Sequence, residues 1–178
     1  MKRLSTLGAL FACLAFALAG LLWAAPPAAA ATPGGVFVTG HDPDFHAGTL
    51  GARNIIQRAV AYVTYGKVRP RMLLVTDLRN PGPEYLDSRN GMRISGFTFD
   101  VADYGSRSGG VLDLHTVSFS NYDVIVVASD FGGWLRQDEL NILNSRSGDI
   151  INFINNGGGL VAFAESGGAR ASTTKNRF

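Results

Sequence analysis

The sequence predicts an open, mostly parallel α/β sheet with helices on both faces. Three observations carry that reading. The stretch from Tyr122 to Ser166 runs YDVIVVASDFGG, then WLRQDELNILNSRSGDIINFINN, then GGGLVAFAES. It reads as a strand, a helical segment and a second strand. Both strands lack the apolar–polar alternation of a half-solvated sheet, so both of their faces must be buried, as in parallel sheets. The order of elements along the chain, with helices after the first and fourth strands, is that of an open α/β domain.

The chain has 178 residues, enough for one domain with a sizeable core. Its first stretch does not belong to that core. Lys2 and Arg3 precede an almost continuous apolar run from Leu4 to Ala25, followed by Pro26, Pro27 and Ala28 to Ala31. This layout predicts a secretory signal peptide over residues 1–31, cleaved after Ala30 or Ala31. The product is then expected to be exported, periplasmic or extracellular, without stable membrane association. The run is also long enough for an uncleaved anchor, but its alanine-rich end suits a cleavage site. Cys13, in a faintly lipobox-like setting, is the only cysteine. Residues 32–178 therefore hold neither a disulfide nor a thiol nucleophile.

Charge excludes further classes. The chain carries 16 basic and 14 acidic residues. Lys2 and Arg3 account for the excess, and the remaining charges are scattered. There is no electrostatic footprint for nucleic acid and no block of like charge for a membrane surface.

A single domain is expected over residues 32–168. Val36 to Thr39 is a short apolar run ended by Gly40 and reads as strand one. GHDPDFHAG, Gly40 to Gly48, is a polar loop. From Leu50 to about Tyr65, Ala52, Ile55, Ile56, Ala59, Val60 and Val63 keep helical spacing, and Gly66 suits the C-terminal cap. Arg71 to Thr76 is strand two, stopped by Asp77. Asn80 to Pro83 is turn-rich, and Tyr85 to Gly96 reads as a loop with at most a helical turn. Phe97 to Val101 alternates and reads as strand three, and Val111 to Phe119 as a connector. Val124 to Ala128 is strand four. Arg136 to Asn156 is helical, broken at Ser145 to Gly148 with Ser147 capping the second piece, and Leu140, Leu143, Ile150, Ile151 and Ile154 share a face. Leu160 to Ala164 is strand five. Ala169 to Phe178 is polar and aperiodic, and is expected to be a disordered tail.

The chemistry-bearing residues gather after strands. His41, Asp42, Asp44 and His46 place two imidazoles and two carboxylates within six residues. Imidazole nitrogen with carboxylate oxygen suits a divalent metal. The same residues also fit a solvated turn in which Asp42 and Asp44 cap backbone amides beside Pro43. Asp77, Asp130 and Glu165 each follow a predicted strand. In an open parallel sheet those ends form the crevice where ligands bind, although an acid after a strand also commonly caps the next helix. Ser166, on the turn Glu165-Ser166-Gly167-Gly168, could be a nucleophile. It lacks the preceding glycine of a hydrolase elbow, Ala164 standing there instead.

YDVIVVASDFGG, a helix, then INNGGGLVAFAESGG resembles the class I glutamine amidotransferase-like superfamily, and is most similar to its ThuA-like (trehalose utilisation) branch. VFVTGHDPDFH is similar to the first strand and loop of such domains. The resemblance covers roughly residues 36–168 and implies a flavodoxin-like sheet in which strands one and four are neighbours. It does not extend to the glutaminase reaction. Ala164, Glu165 and Ser166 stand where that family carries its cysteine, no histidine follows His115, and no acid follows Glu165. The resemblance also implies further strands after this turn. The expected function is non-catalytic binding of a small polar, sugar-like molecule at the strand carboxyl ends. The alternative is a metal-assisted hydrolase or isomerase of carbohydrate using His41, His46 and Glu165. Because residues 32–178 have no cysteine, glutamine hydrolysis is expected to be absent. Ammonia release from glutamine by the purified protein, above that of a heat-inactivated control, would contradict this.

Overall fold

A computed structural model describes residues 32–78, 88–105, 110–130 and 132–163. The predicted leader, the polar tail, Glu165 and Ser166 lie outside the described residues. Among those described, six strands form one sheet: β1 (Val36–Thr39), β2 (Met72–Val75), β3 (Asp100–Asp103), β4 (Leu112–Asp113), β5 (Val124–Val127) and β6 (Gly159–Phe163). Four helices accompany them: α1 (Leu50–Val63), α2 (Ser88–Ile94), α3 (Gln137–Ser145) and α4 (Ser147–Asn155). A 3-10 turn, Phe119–Asn121, leads into β5.

Every pairing is parallel, and the spatial order is β1-β6-β5-β2-β3-β4. This is an open flavodoxin-like α/β sheet. The two central strands read MLLV and VIVV, and all eight residues are buried. They run in register, Leu73 opposite Ile125 and Val75 opposite Val127. Parallel crossovers are right-handed. The steps β1→β2 and β2→β3 go one way across the sheet, so α1 and α2 share a face, and they touch. The steps β4→β5 and β5→β6 go the other way, so the 3-10 turn, α3 and α4 cover the opposite face, where α4 meets both partners.

Local chemistry explains the helices. Thr49 caps α1 by accepting the Ala52 amide at 3.3 Å. At its other end Gly66 N–H reaches Ala61 O at 2.8 Å and Tyr65 N–H reaches Tyr62 O at 3.3 Å. That is a Schellman pattern, but the residue at the left-handed C′ position is Tyr65, with φ of 51°, and Gly66 follows it. α1 buries Ala52, Ile56, Ala59, Val60 and Val63 on the core, while Ile55 turns outward.

Several expectations shift. Strand one and strand four are not neighbours: β6 lies between β1 and β5. The short strand that follows the Gly run has two partners available and takes both. Tyr85 to Gly96 contains a true helix, α2, whose close fit to the rest of the fold holds a sequence with weak helical spacing. The third strand begins at Asp100 rather than Phe97, since Phe97 N–H is engaged by Met92 O behind α2. The 136–156 helix does break, but Arg146 is the residue at the joint, and Ser147 is already helical with no side-chain cap. The break changes the phase of the apolar stripe. Phe153 is therefore the buried residue of α4, and Ile151 is exposed.

Ile125 occupies the centre of the sheet, fully buried, with Leu73 and Leu160 on either side. Ile125→Ala should lower unfolding free energy in urea by about 2–5 kcal/mol, because a methyl-lined cavity replaces lost contacts. A loss below about 1 kcal/mol would be inconsistent with this packing.

Candidate functional site at the strand carboxyl ends

The strand order reverses between β2 and β5. From β2 the chain moves outward through β3 to β4, and from β5 it moves outward the other way to β6. The connections after β2 and β5 thus leave toward opposite faces and open a crevice at their carboxyl ends, the usual ligand position in such sheets. Thr76 and Asp77 follow β2, and Ala128, Ser129 and Asp130 follow β5. Thr39 of β1 is paired with Phe163 of β6, so the 41–46 loop leaves the same edge.

Two loops close over that crevice. The carbonyl of Gly133 accepts the Thr76 hydroxyl at 2.6 Å and the Ser88 hydroxyl at 3.0 Å. Asp77 N–H donates to Trp134 O at 3.1 Å, and Leu135 N–H to Ser129 O at 3.0 Å. Asp77 is buried, and its carboxylate holds the half-exposed Arg136 guanidinium at 2.7 Å. Arg136 N–H in turn donates to the carboxylate of buried Glu139 at 3.2 Å, fixing the start of α3. From the other side, Asp44 reaches in and accepts the Ser129 N–H at 2.9 Å. The fit is tight: a Cβ on Gly91 would run into the Asp44 backbone, and one on Gly132 into the Phe45 ring. Trp134 sits at the crossing with a left-handed φ of 66°, a conformation that a bulky residue keeps only when its surroundings impose it.

The structure separates the His–Asp constellation. Asp42 and Asp44 are buried, while His41 and His46 face outward. His46 Nε2 lies 3.5 Å from Asp42 Oδ2, and the Phe45 and His46 amides both donate to Asp42 O at 3.1 Å. The loop is therefore a folded turn whose second acid belongs to the core. Among the described residues, no three of His, Cys, Asp or Glu come together to hold a metal ion. Asp77 and Asp130 stand on the same edge as Asp44, Asp130 half-buried. Asp103, at the end of β3, joins them, fully buried and accepting the amides of Leu78 at 3.2 Å and Gly105 at 2.9 Å. Sequence reading placed Asp103 outside the third strand and so missed it. It also missed Ser129 and Arg136. A basic residue immediately before a helical segment with acids in its first turn was the available signal for Arg136.

On the two loops themselves, Asp44 Oδ1 and Trp134 Nε1 are buried polar atoms with no hydrogen-bond partner among the described residues. Burial dominates the Asp44 carboxyl and pushes its pKa from 3.8 up to about 6. The hydrogen bonds from Ser129 oppose that shift, and the nearby Asp42 charge adds slightly to it.

No family model matches the chain, and no curated protein or solved structure is significantly similar to it. No helix among the described residues is long and apolar enough to cross a membrane.

The Asp44 proton is held more tightly in the fold than in the unfolded chain. Its contribution to stability is therefore full below pH 3.8 and is lost as pH rises through about 6. Asp44→Asn keeps an oxygen for the Ser129 amide and removes the charge. The variant should be more stable than the parent at pH 8 by about 2–3 kcal/mol, with the difference vanishing below about pH 4. Urea unfolding across that range checks it, and a pH-independent difference would rule out the assigned titration.

Proposed function

We propose that this domain binds a small, hydroxyl-rich, sugar-like molecule at the carboxyl edge of the sheet, without catalysing its conversion. The observation that carries the reading is the pair of unmatched atoms on the loops over the crevice. Among the described residues, Trp134 Nε1 is a donor without an acceptor, and Asp44 Oδ1 is an acceptor without a donor. Leaving such groups buried and unpaired costs about 1–3 kcal/mol each, a cost a ligand would relieve. A hydroxyl group can accept one hydrogen bond and donate another, so it complements both kinds of atom. The location agrees with the ligand position of open parallel sheets. The resemblance of YDVIVVASDFGG and GGGLVAFAES to ThuA-like domains points to the same substrate class.

Binding requires the 41–46 or 132–135 loop to move, because both atoms are covered. Loops have the lowest local stability and are where such opening is expected. The reading needs no nucleophile and no metal.

The chain has two tryptophans, Trp23 and Trp134. In a Trp23→Phe background, intrinsic fluorescence reports on Trp134 alone. Titration with a panel of monosaccharides, sugar acids and disaccharides including trehalose should give a saturable change for at least one member. Asp44→Asn should weaken that response by about tenfold. A flat response across the panel at millimolar concentrations would defeat the proposal.

A further inference from the structure

The amino-terminal edge of the sheet carries a groove of its own, remote from the crevice. Its volume is about 670 Å³, within the usual range of small-molecule sites. Its walls come from the segments that lead into β2, β5 and β6 and from one side of α4.

The charges in this groove are unequally satisfied. Asp123 is held by Lys67 at 2.8 Å and by the Arg71 amide at 2.7 Å, and these contacts keep its carboxyl below the usual range despite partial burial. Arg146 is fully engaged. Its guanidinium meets Asp149 at 2.8 and 2.9 Å, donates to Leu114 O at 2.7 Å, and lies 4.0 Å over the Phe119 ring. Arg71 differs. Its exposed guanidinium makes no hydrogen bond or ion pair with any described residue, although its backbone is fixed on both sides by Asp123. A cation whose hydrogen-bond donors are unspent on any described residue thus lines a groove whose acids already have close partners, its charge acting on Asp123 only at longer range.

The neighbouring wall offers hydrogen bonds to neutral groups. Asn152 and Asn156 lie one turn apart along the end of α4. Asn156 donates to Asn152 O at 2.7 Å and retains its amide oxygen, while the Asn152 amide has no side-chain partner among the described residues. The Ser118 and Ser120 hydroxyls share one bond of 2.9 Å and keep further capacity. The floor is closely packed, since any side chain at Gly158 would strike the Phe153 ring.

We infer that this groove is a second binding site, selective for a small anion that also carries hydroxyl groups, of the hydroxy-carboxylate or sugar-phosphate class. Arg71 takes the anionic group, because planar guanidinium matches carboxylate and phosphate oxygens in a fork geometry. Asn152, Asn156 and the serine hydroxyls take the hydroxyls. The site stands on observations at the opposite edge from the sugar-like site and does not depend on it.

Citrate and glucose 6-phosphate serve as probes, with glucose as the uncharged control, in an amide chemical-shift titration of the full chain. Both anions should shift Asn156, Gly157, Gly158 and Ser118 to Ser120 saturably, and glucose should not. Arg71→Ala should weaken binding by about tenfold or more. Asp149→Asn releases the Arg146 guanidinium and should tighten it. The inference fails if neither anion shifts the groove amides, or if glucose shifts them equally. It also fails if Arg71→Ala, still showing the parent's thermal melt, binds as well as the parent. Shifts confined to the 41–46 and 129–135 loops would reassign the anion to the other edge and likewise end it.

Discussion

The structure depends on one constraint: β2 and β5 must be buried on both faces at once. Each is four residues long and wholly apolar, and each has a strand on either side. Such strands cannot tolerate solvent on one face, so helices must cover both. The chain meets this by reversing its direction of travel across the sheet between β2 and β5. α1 and α2 then fall on one face and α3 and α4 on the other. The apolar faces of those helices follow from the same demand, from Ile56 and Val60 on one side to Leu140 and Phe153 on the other.

The reversal that buries the centre also creates the crevice at its carboxyl end. In this chain the crevice is roofed. A single carbonyl, that of Gly133, accepts hydroxyls from both Thr76 and Ser88, so β2, α2 and the loop after β5 are drawn to one point. Asp44 adds β1's loop to the same junction through the Ser129 amide. Most polar groups of the junction are paired, as buried groups generally must be. On the two loops, Asp44 Oδ1 and Trp134 Nε1 depart from that rule among the described residues. Departures of this kind, with a bulky residue at positive φ between the two loops, are more common at functional sites than in passive cores.

The two edges of the sheet differ in electrostatic character. The carboxyl edge gathers carboxylates, and burial rather than charge pairing governs Asp44. The amino edge gathers basic residues: Lys67 and Arg146 form ion pairs with acids, while the Arg71 guanidinium acts on Asp123 without a close ion pair among the described residues. The strands lie between the two proposed sites, and the central layer that separates them is fully apolar.

The sequence by itself determined the class of fold and most of its parts. Runs such as VIVV and LVAF admit no solvent-facing side, so parallel strands with helices between them follow from composition and spacing alone. The acids at strand ends were legible for a similar reason, because Asp77 and Asp130 stop apolar runs. Tertiary structure decided the rest. Whether β1 lies beside β5 or β6 is a choice among strands of nearly equal apolar character, and no local pattern encodes it. α2 was hidden because its helical form is held by contacts such as Gly91 against Asp44 and Ser88 on Gly133. The division of the His41–His46 loop into exposed imidazoles and buried carboxylates also depends on what packs against it. Asp44 meets Ser129 across 85 residues of chain, and burial there, not residue type, decides how its carboxyl titrates. Local periodicity specifies which face of an element is apolar. It does not specify which distant backbone atom that element will meet, and the unpaired atoms of the crevice arise at that level.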